Sequence, residues 1–131
     1  MSKDEIVREV ALPPLAPDVK LPKFYPHTYN HGLELSPDEK LLFAAGSAGD
    51  YVCVYSVPDL KLLATISVGQ EPNWIVFSHD GTFAYVSNRR SDNLSVISVS
   101  QLKEVKRIPV GNYPQRMRTV VVRNRTVALQ K

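Results

Sequence analysis

The sequence predicts an all-β fold made of repeated four-stranded sheets, and two observations predict it. First, residues 31–72 and 73–114 align without a gap at a constant offset of 42. Twelve positions are identical: Ser36/Ser78, Asp38/Asp80, Asp50/Asp92, Val54/Val96, Ser56/Ser98, Val57/Val99, Leu60/Leu102, Lys61/Lys103, Ile66/Ile108, Val68/Val110, Gly69/Gly111 and Pro72/Pro114. Chance gives roughly two or three, because no amino acid much exceeds about a tenth of average usage. Second, each copy breaks into short apolar runs separated by turn residues, the pattern of strands rather than helices. A period near 40 made of short strands is the mark of β-propeller blades, each a four-stranded sheet.

The elements follow in chain order. Residues 1–12 contain Val7–Leu12, which matches Val105–Val110 and reads as the outermost strand D of a preceding blade. Residues 13–30 form a proline-rich loop. The first blade, 31–72, has strand A at Gly32–Leu35 and a turn at Ser36-Pro37-Asp38-Glu39. Ser leads a type I turn, Pro fits its second position, and Asp bonds its own backbone. Strand B is Leu41–Ala45, strand C is Tyr51–Val57, and strand D is Lys61–Val68. The second blade, 73–114, repeats this with Trp74–Phe77, Phe83–Asn88, Asn93–Val99 and Lys103–Val110. In its strand C, Leu94 and Val96 alternate with Ser95 and Ser98, a half-buried pattern. Lysines 61, 103 and 106 suit an outer edge, where charge discourages pairing with other sheets.

Residues 115–131 read as the degenerate start of a third blade, with strand A at Met117–Val121 and strand B near Thr126–Leu129. The chain therefore holds about two and a half to three blades. A closed ring has about four to eight, and a blade cannot cover both faces of its own sheet. Three arrangements satisfy this: a fragment of a longer propeller, several copies completing a ring, or another cover for the ends.

Composition narrows the function classes. The chain has 131 residues, 44% apolar and 22% charged, as in ordinary globular domains. The net charge of +3 is unevenly placed. Residues 116–131 carry Arg116, Arg118, Arg123, Arg125 and Lys131 with no acid, while the remainder is slightly acidic. A nucleic-acid reader shows its charge on a folded face among aromatics, so these arginines read as solubilising an exposed edge and no nucleic-acid partner is expected. The single cysteine, Cys53, excludes an internal disulfide and reads as a small buried apolar group. No apolar run approaches membrane-spanning length, so no membrane partner is expected. Met1-Ser2-Lys3-Asp4-Glu5 lacks the apolar core of a signal peptide. As written the chain is expected in the cytoplasm, or secreted or periplasmic if an N-terminal signal has been lost.

Tyr85-Val86-Ser87-Asn88 resembles the Tyr-Val-Thr-Asn signature of YVTN-type β-propeller repeats. Ser78-His79-Asp80-Gly81, Ser91–Ile97 and Ile108–Pro114 resemble the flanking turn, strand and exit of that repeat. The first copy matches at Ser36-Pro37-Asp38 and Ile66–Pro72 but has Phe43-Ala44-Ala45-Gly46 at the signature. The resemblance covers about two-thirds of the chain and concerns turns and sheet positions. It implies a spread of roles: surface-layer and secreted binding proteins, lactonase-like propellers, and haem-binding domains of nitrite reductases. Fold alone does not choose among them.

Propeller ligands usually meet the face made by the D-to-A and B-to-C loops. The 13–30 connection is much longer than its counterpart at 111–114, and long loops are often functional. It offers Tyr25, His27, Tyr29 and then His31, which either line a pocket mouth or belong to a loop packed over the first blade. His27 and His31 are spaced for a helical metal pair, but Pro26 opposes a helix and no carboxylate or cysteine joins them, so no metal site is expected. Arg89 and Arg90 in the B-to-C loop either grip an anion or are solvated charges partly paired with Asp92. Trp74, in an innermost strand, reads as core or channel lining or as a ligand platform. Asp50 and Asp92 recur and read as turn contacts. No nucleophile elbow, phosphate loop or cofactor motif is present in the sequence, and no cofactor is expected.

The primary expectation is a non-catalytic binding or interaction scaffold of YVTN-type blades, not an enzyme by itself, with an unknown protein or small-molecule ligand. The first alternative is a fragment of a propeller enzyme, lactonase-like or haem-binding, whose site lies mainly in other blades. The second is a self-assembling partial propeller, a homo-oligomer that completes the ring.

Overall fold

The computed structural model describes residues 6, 8–19 and 29–122. Among them are eight strands: β1 Leu33–Leu35, β2 Leu41–Gly46, β3 Tyr51–Ser56, β4 Leu62–Ser67, β5 Pro72–Phe77, β6 Phe83–Asn88, β7 Asn93–Ser98 and β8 Lys103–Pro109. They form two antiparallel meanders, β1-β2-β3-β4 and β5-β6-β7-β8. The duplication extends to fine backbone detail. The β3/β4 register slips between Val54 and Tyr55, and the β7/β8 register slips between Val96 and Ile97, the same position 42 residues later.

The A-to-B turns explain why the repeat keeps Ser and Asp. Ser36 Oγ donates to Asp38 Oδ1 at 2.6 Å and accepts Leu41 N–H at 2.9 Å. Ser78 does the same with Asp80 at 2.6 Å and Phe83 at 3.0 Å. These bonds favour the ionised carboxylate. The Ser78 hydroxyl, helped by the Thr82 amide, holds the Asp80 carboxyl down at about 2, and Asp38 is lowered in the same way by Ser36.

The sheets stack face to face. Phe43, Ala45, Val52, Val54, Ile66 and Val68 of the first meet Ile75, Phe77, Ala84, Val86 and Ile97 of the second. The rings of Phe43 and Phe77 lie edge to face, 5.0 Å between centroids and 83° between planes. This arrangement places the quadrupoles favourably. The core is thus an inter-blade layer, as expected for sheets that cannot bury both faces alone. A smaller apolar cluster lies on the opposite face of the first sheet: Ala44, Cys53 and Tyr55, with Leu12, Leu42 and Tyr51 against it.

Some expectations change. β5 begins at Pro72, two residues before the expected Trp74. Strand β7 is not half-buried: Ser95 and Ser98 are buried along with Val96 and Ile97. Ser95 lies in a polar seam, where its Oγ accepts Asn88 Nδ2–H at 2.8 Å and Gly69 N–H at 3.3 Å. The expected strands at Val7–Leu12 and Met117–Val121 are not formed among the described residues. A strand exists by pairing, and neither segment has a neighbouring strand to pair with in the described residues. The expected third-blade strand B at 126–129 lies outside them. Among the described residues, no helix is long and apolar enough to cross a membrane.

Candidate functional site

Two regions bring sequence-predicted residues together. One is the loop end, where the B-to-C and D-to-A connections meet. The recurring aspartates act here as turn contacts: Asp50 Oδ1 accepts Glu71 N–H and Asp92 Oδ1 accepts Tyr113 N–H, each at 2.8 Å. Both aspartates, and Glu71 and Tyr113 with them, adopt positive φ between 52° and 57°. For non-glycine residues this is the left-handed region, held here by the aspartate acceptor.

Arg89 and Arg90 are not solvated partners of Asp92. Arg89 is buried and forms an ion pair with Glu71, itself buried. Arg90, whose side chain is 55% exposed, reaches the other Glu71 oxygen through Nε at 3.2 Å. The backbone joins them as well, through Arg89 N–H to Glu71 O at 3.1 Å and Arg90 N–H to Gln70 O at 3.2 Å. The Tyr113 ring covers the Arg89 guanidinium at 4.8 Å. Asp92 is already committed to the Tyr113 amide. Glu71 therefore converts the expected anion clamp into a latch between two loops. Sequence reasoning missed Glu71 because its partners lie 18 and 19 residues away.

The second region lies along the innermost strands. His31 Nδ1–H donates to Asn73 O at 3.1 Å, and its ring centroid is 6.2 Å from that of Trp74. Trp74 is half-buried, and the Arg116 guanidinium sits 5.6 Å above it. The chain is brought back there by Ser87, whose Oγ donates to Gln115 O at 2.6 Å and accepts Trp74 N–H at 3.1 Å. Beside this stack opens a cleft of about 940 Å³, lined by Glu34, Trp74, Val76, His79, Arg116 and Arg118 among others. Arg116 and Arg118 are exposed, and neither enters an ion pair among the described residues.

The repeat register orders this wall. Gly32, Trp74 and Arg116 are spaced by 42, as are Glu34, Val76 and Arg118. One register position thus passes from glycine before β1 to an aromatic in β5 to a guanidinium in the segment after β8. That register was the available signal for Arg116 and Arg118, which composition alone assigned to a solubilising edge. Of the remaining expected residues, Tyr29 is 59% exposed and its carbonyl accepts Ala48 N–H at 3.2 Å. Tyr25 and His27 lie outside the described residues.

No group of His, Cys, Asp and Glu that could hold a metal occurs among the described residues. Cys53 is buried, and burial pushes its thiol up, away from the reactive thiolate. No Ser, Thr or Cys side chain is hydrogen-bonded to a histidine among the described residues.

Comparison with known proteins follows this geometry. Among solved structures, the hydrazine synthase of Kuenenia stuttgartiensis aligns at 30% identity with a TM-score of 0.63, over 65% of this chain and 24% of that one. A 6-phosphogluconolactonase candidate from Bacteroides uniformis aligns at 25% identity and TM-score 0.54, over 61% of this chain and 26% of that one. The periplasmic gluconolactonase of Pseudomonas aeruginosa aligns at 26% identity and TM-score 0.55, over 66% and 28%. The chain thus spans about a quarter of the length of these relatives. No curated protein matches it. The model of the seven-bladed β-propeller lactonases matches residues 14–119, most of the chain and both stacked sheets, and the chain belongs to that family.

Proposed function

We propose that this chain contributes two blades, and the inner segment of a third, to a lactonase-like propeller that binds a sugar-acid lactone in the cleft beside Trp74. The observation that carries this reading is the position of Arg116 over Trp74 with Arg118 on the same wall, neither in an ion pair among the described residues. An indole face offers an apolar platform to the C–H side of a sugar ring. A guanidinium offers paired N–H donors to a carboxylate or phosphate.

In lactone hydrolysis water adds to the ester carbonyl and negative charge develops on its oxygen. The ring C–O bond then breaks, and the ring oxygen takes up a proton. A guanidinium near the carbonyl offsets the developing charge. Activation of the water is assigned to residues of other blades, since the described residues assemble no nucleophile and base.

The similarity to the gluconolactonase and to the 6-phosphogluconolactonase candidate supports this reading over a non-catalytic scaffold. The Tyr85-Val86-Ser87-Asn88 segment supports the finer assignment of the second sheet as a YVTN-type blade. The test is binding of gluconate and 6-phosphogluconate to the chain by isothermal titration calorimetry. Saturable binding, weakened by Arg116→Ala, supports the reading. No binding up to about 10 mM, or binding unaltered by Arg116→Ala, contradicts it.

A further inference from the structure

Two peptide groups carry the cleft side chains Trp74 and Arg116, and side chains of neighbouring segments hold both. The peptide between Asn73 and Trp74 is held on each side. His31 Nδ1–H donates to its carbonyl oxygen at 3.1 Å, and its N–H donates to Ser87 Oγ at 3.1 Å. The Ser87 hydroxyl then donates its own proton to Gln115 O at 2.6 Å. That carbonyl shares a peptide group with the nitrogen of Arg116. A peptide group is planar, so fixing its oxygen or its N–H orients the residue that follows. The donors all run one way, from His31 through Trp74 and Ser87 to Gln115. Hydrogen bonds in such a chain polarise one another.

Differences between the two repeats account for this chain of bonds. The β5/β6 register slips between Pro72 and Trp74. Beside the slip, the Trp74 N–H meets the Ser87 hydroxyl. Ser87 is fully buried, and its counterpart in the first sheet is Ala45, which has no hydroxyl. Gly32 supplies the remaining condition. A Cβ there would lie 2.7 Å from Asn73 O and 3.2 Å from Trp74 Cα. Only glycine therefore lets the chain after His31 pass this close to the peptide that His31 holds.

We propose that Ser87 is a positioning residue for the anion site: its hydroxyl joins the segment of the indole platform to that of the cation and so sets Arg116 over Trp74. The inference deepens the reading of the cleft as the site of a sugar acid, and rests on it. The Arg116 guanidinium sits 5.6 Å above the indole, at the end of a long side chain rich in rotamers. Holding the peptide plane at its base removes part of the freedom that an anion would otherwise have to remove on binding. Ser87, being fully buried, acts through Trp74 and Arg116 rather than on the ligand.

The test is collisional quenching of the single tryptophan in the full chain, by iodide and by neutral acrylamide, at constant ionic strength. Iodide concentrates near a guanidinium, so the ratio of iodide to acrylamide quenching reports whether Arg116 lies at Trp74. Ser87→Ala is expected to lower that ratio to the level of Arg116→Ala, and Ser87→Thr to keep it. Ser87→Ala made in the Arg116→Ala chain is expected to lower it no further. A Ser87→Ala chain with the wild-type ratio overturns the proposal. Losses that add overturn it too, as does a wild-type ratio no higher than that of Arg116→Ala. A merely structural loosening would raise quenching by both agents and leave the ratio unchanged. If Ser87→Ala does not fold by far-UV circular dichroism, Ser87→Cys, a weaker donor, takes its place. It is expected to give an intermediate ratio, and an unchanged one overturns the proposal. Binding of 6-phosphogluconate is expected to weaken about 3- to 10-fold in Ser87→Ala and to recover in Ser87→Thr. Iodide quenching needs no sugar acid, so the two readings fail separately. A wild-type chain with the iodide excess that binds no 6-phosphogluconate sinks the functional reading alone. A chain that binds it with an affinity indifferent to Ser87→Ala sinks this proposal alone.

Discussion

The carboxylate of Glu71 and the guanidinium of Arg89 form a buried ion pair that fastens the loop between β4 and β5 to the loop between β6 and β7. Removing one partner of such a pair leaves a buried charge uncompensated, at a cost of about 3–5 kcal/mol. Glu71→Gln is therefore expected to lower stability by that amount in urea unfolding. Arg90, largely in solvent, is the internal control: Arg90→Ala is expected to cost about 0–1 kcal/mol. Equal effects of the two substitutions would mean that the latch is not buried.

The second expectation concerns the inter-sheet layer. Phe43→Ala removes a fully buried ring and is expected to cost about 3–5 kcal/mol. The double-mutant cycle with Phe77→Ala is expected to give a coupling of about 0.5–1.5 kcal/mol for the edge-to-face pair. Urea unfolding of the four proteins measures it. A coupling of zero would separate the two sheets.

The ease of reading the sheets and the difficulty of reading the site have one physical origin. Strand positions and turn residues repeat because every blade must solve the same packing problem. Ser36/Ser78 and Asp38/Asp80 were therefore visible at once, and their hydrogen bonds repeat within 0.1 Å. A site depends on where the copies differ. Glu71 was invisible because charge pairing was sought among neighbours, and Asp92 beside the arginines was already bonded to the Tyr113 amide. Leu60 and Leu102 take φ of 50° and 48°, a conformation that no glycine or asparagine announced. The segments at Val7–Leu12 and Met117–Val121 carry strand-like sequence, yet pairing needs a neighbour that local sequence does not supply.

The acid limb of stability provides a third expectation. The folded state holds the Asp38 and Asp80 carboxyls below the ordinary 3.8, Asp80 at about 2. A depressed folded value means that the unfolded chain binds protons first as pH falls. Their contribution is complete above the unfolded value, begins to fade near pH 4, and is gone below about pH 2. Thermal unfolding followed from pH 6 to pH 2 is expected to show a falling Tm across that window. Asp80→Asn is expected to flatten the fall, because it removes the titrating group. A variant with the same slope as wild type would place the acid sensitivity elsewhere.

The central functional claim is best tested by the chain's single tryptophan, since Trp74 reports only from the cleft. Titration with 6-phosphogluconate, the open acid of the phosphorylated lactone, is expected to change Trp74 fluorescence saturably. Arg116→Ala is expected to weaken that binding by about 10- to 100-fold, the worth of a charge-assisted hydrogen bond. Fluorescence that does not change up to about 10 mM, where binding would be weaker than about 3 kcal/mol, contradicts the account. So does an Arg116→Ala protein with unaltered affinity.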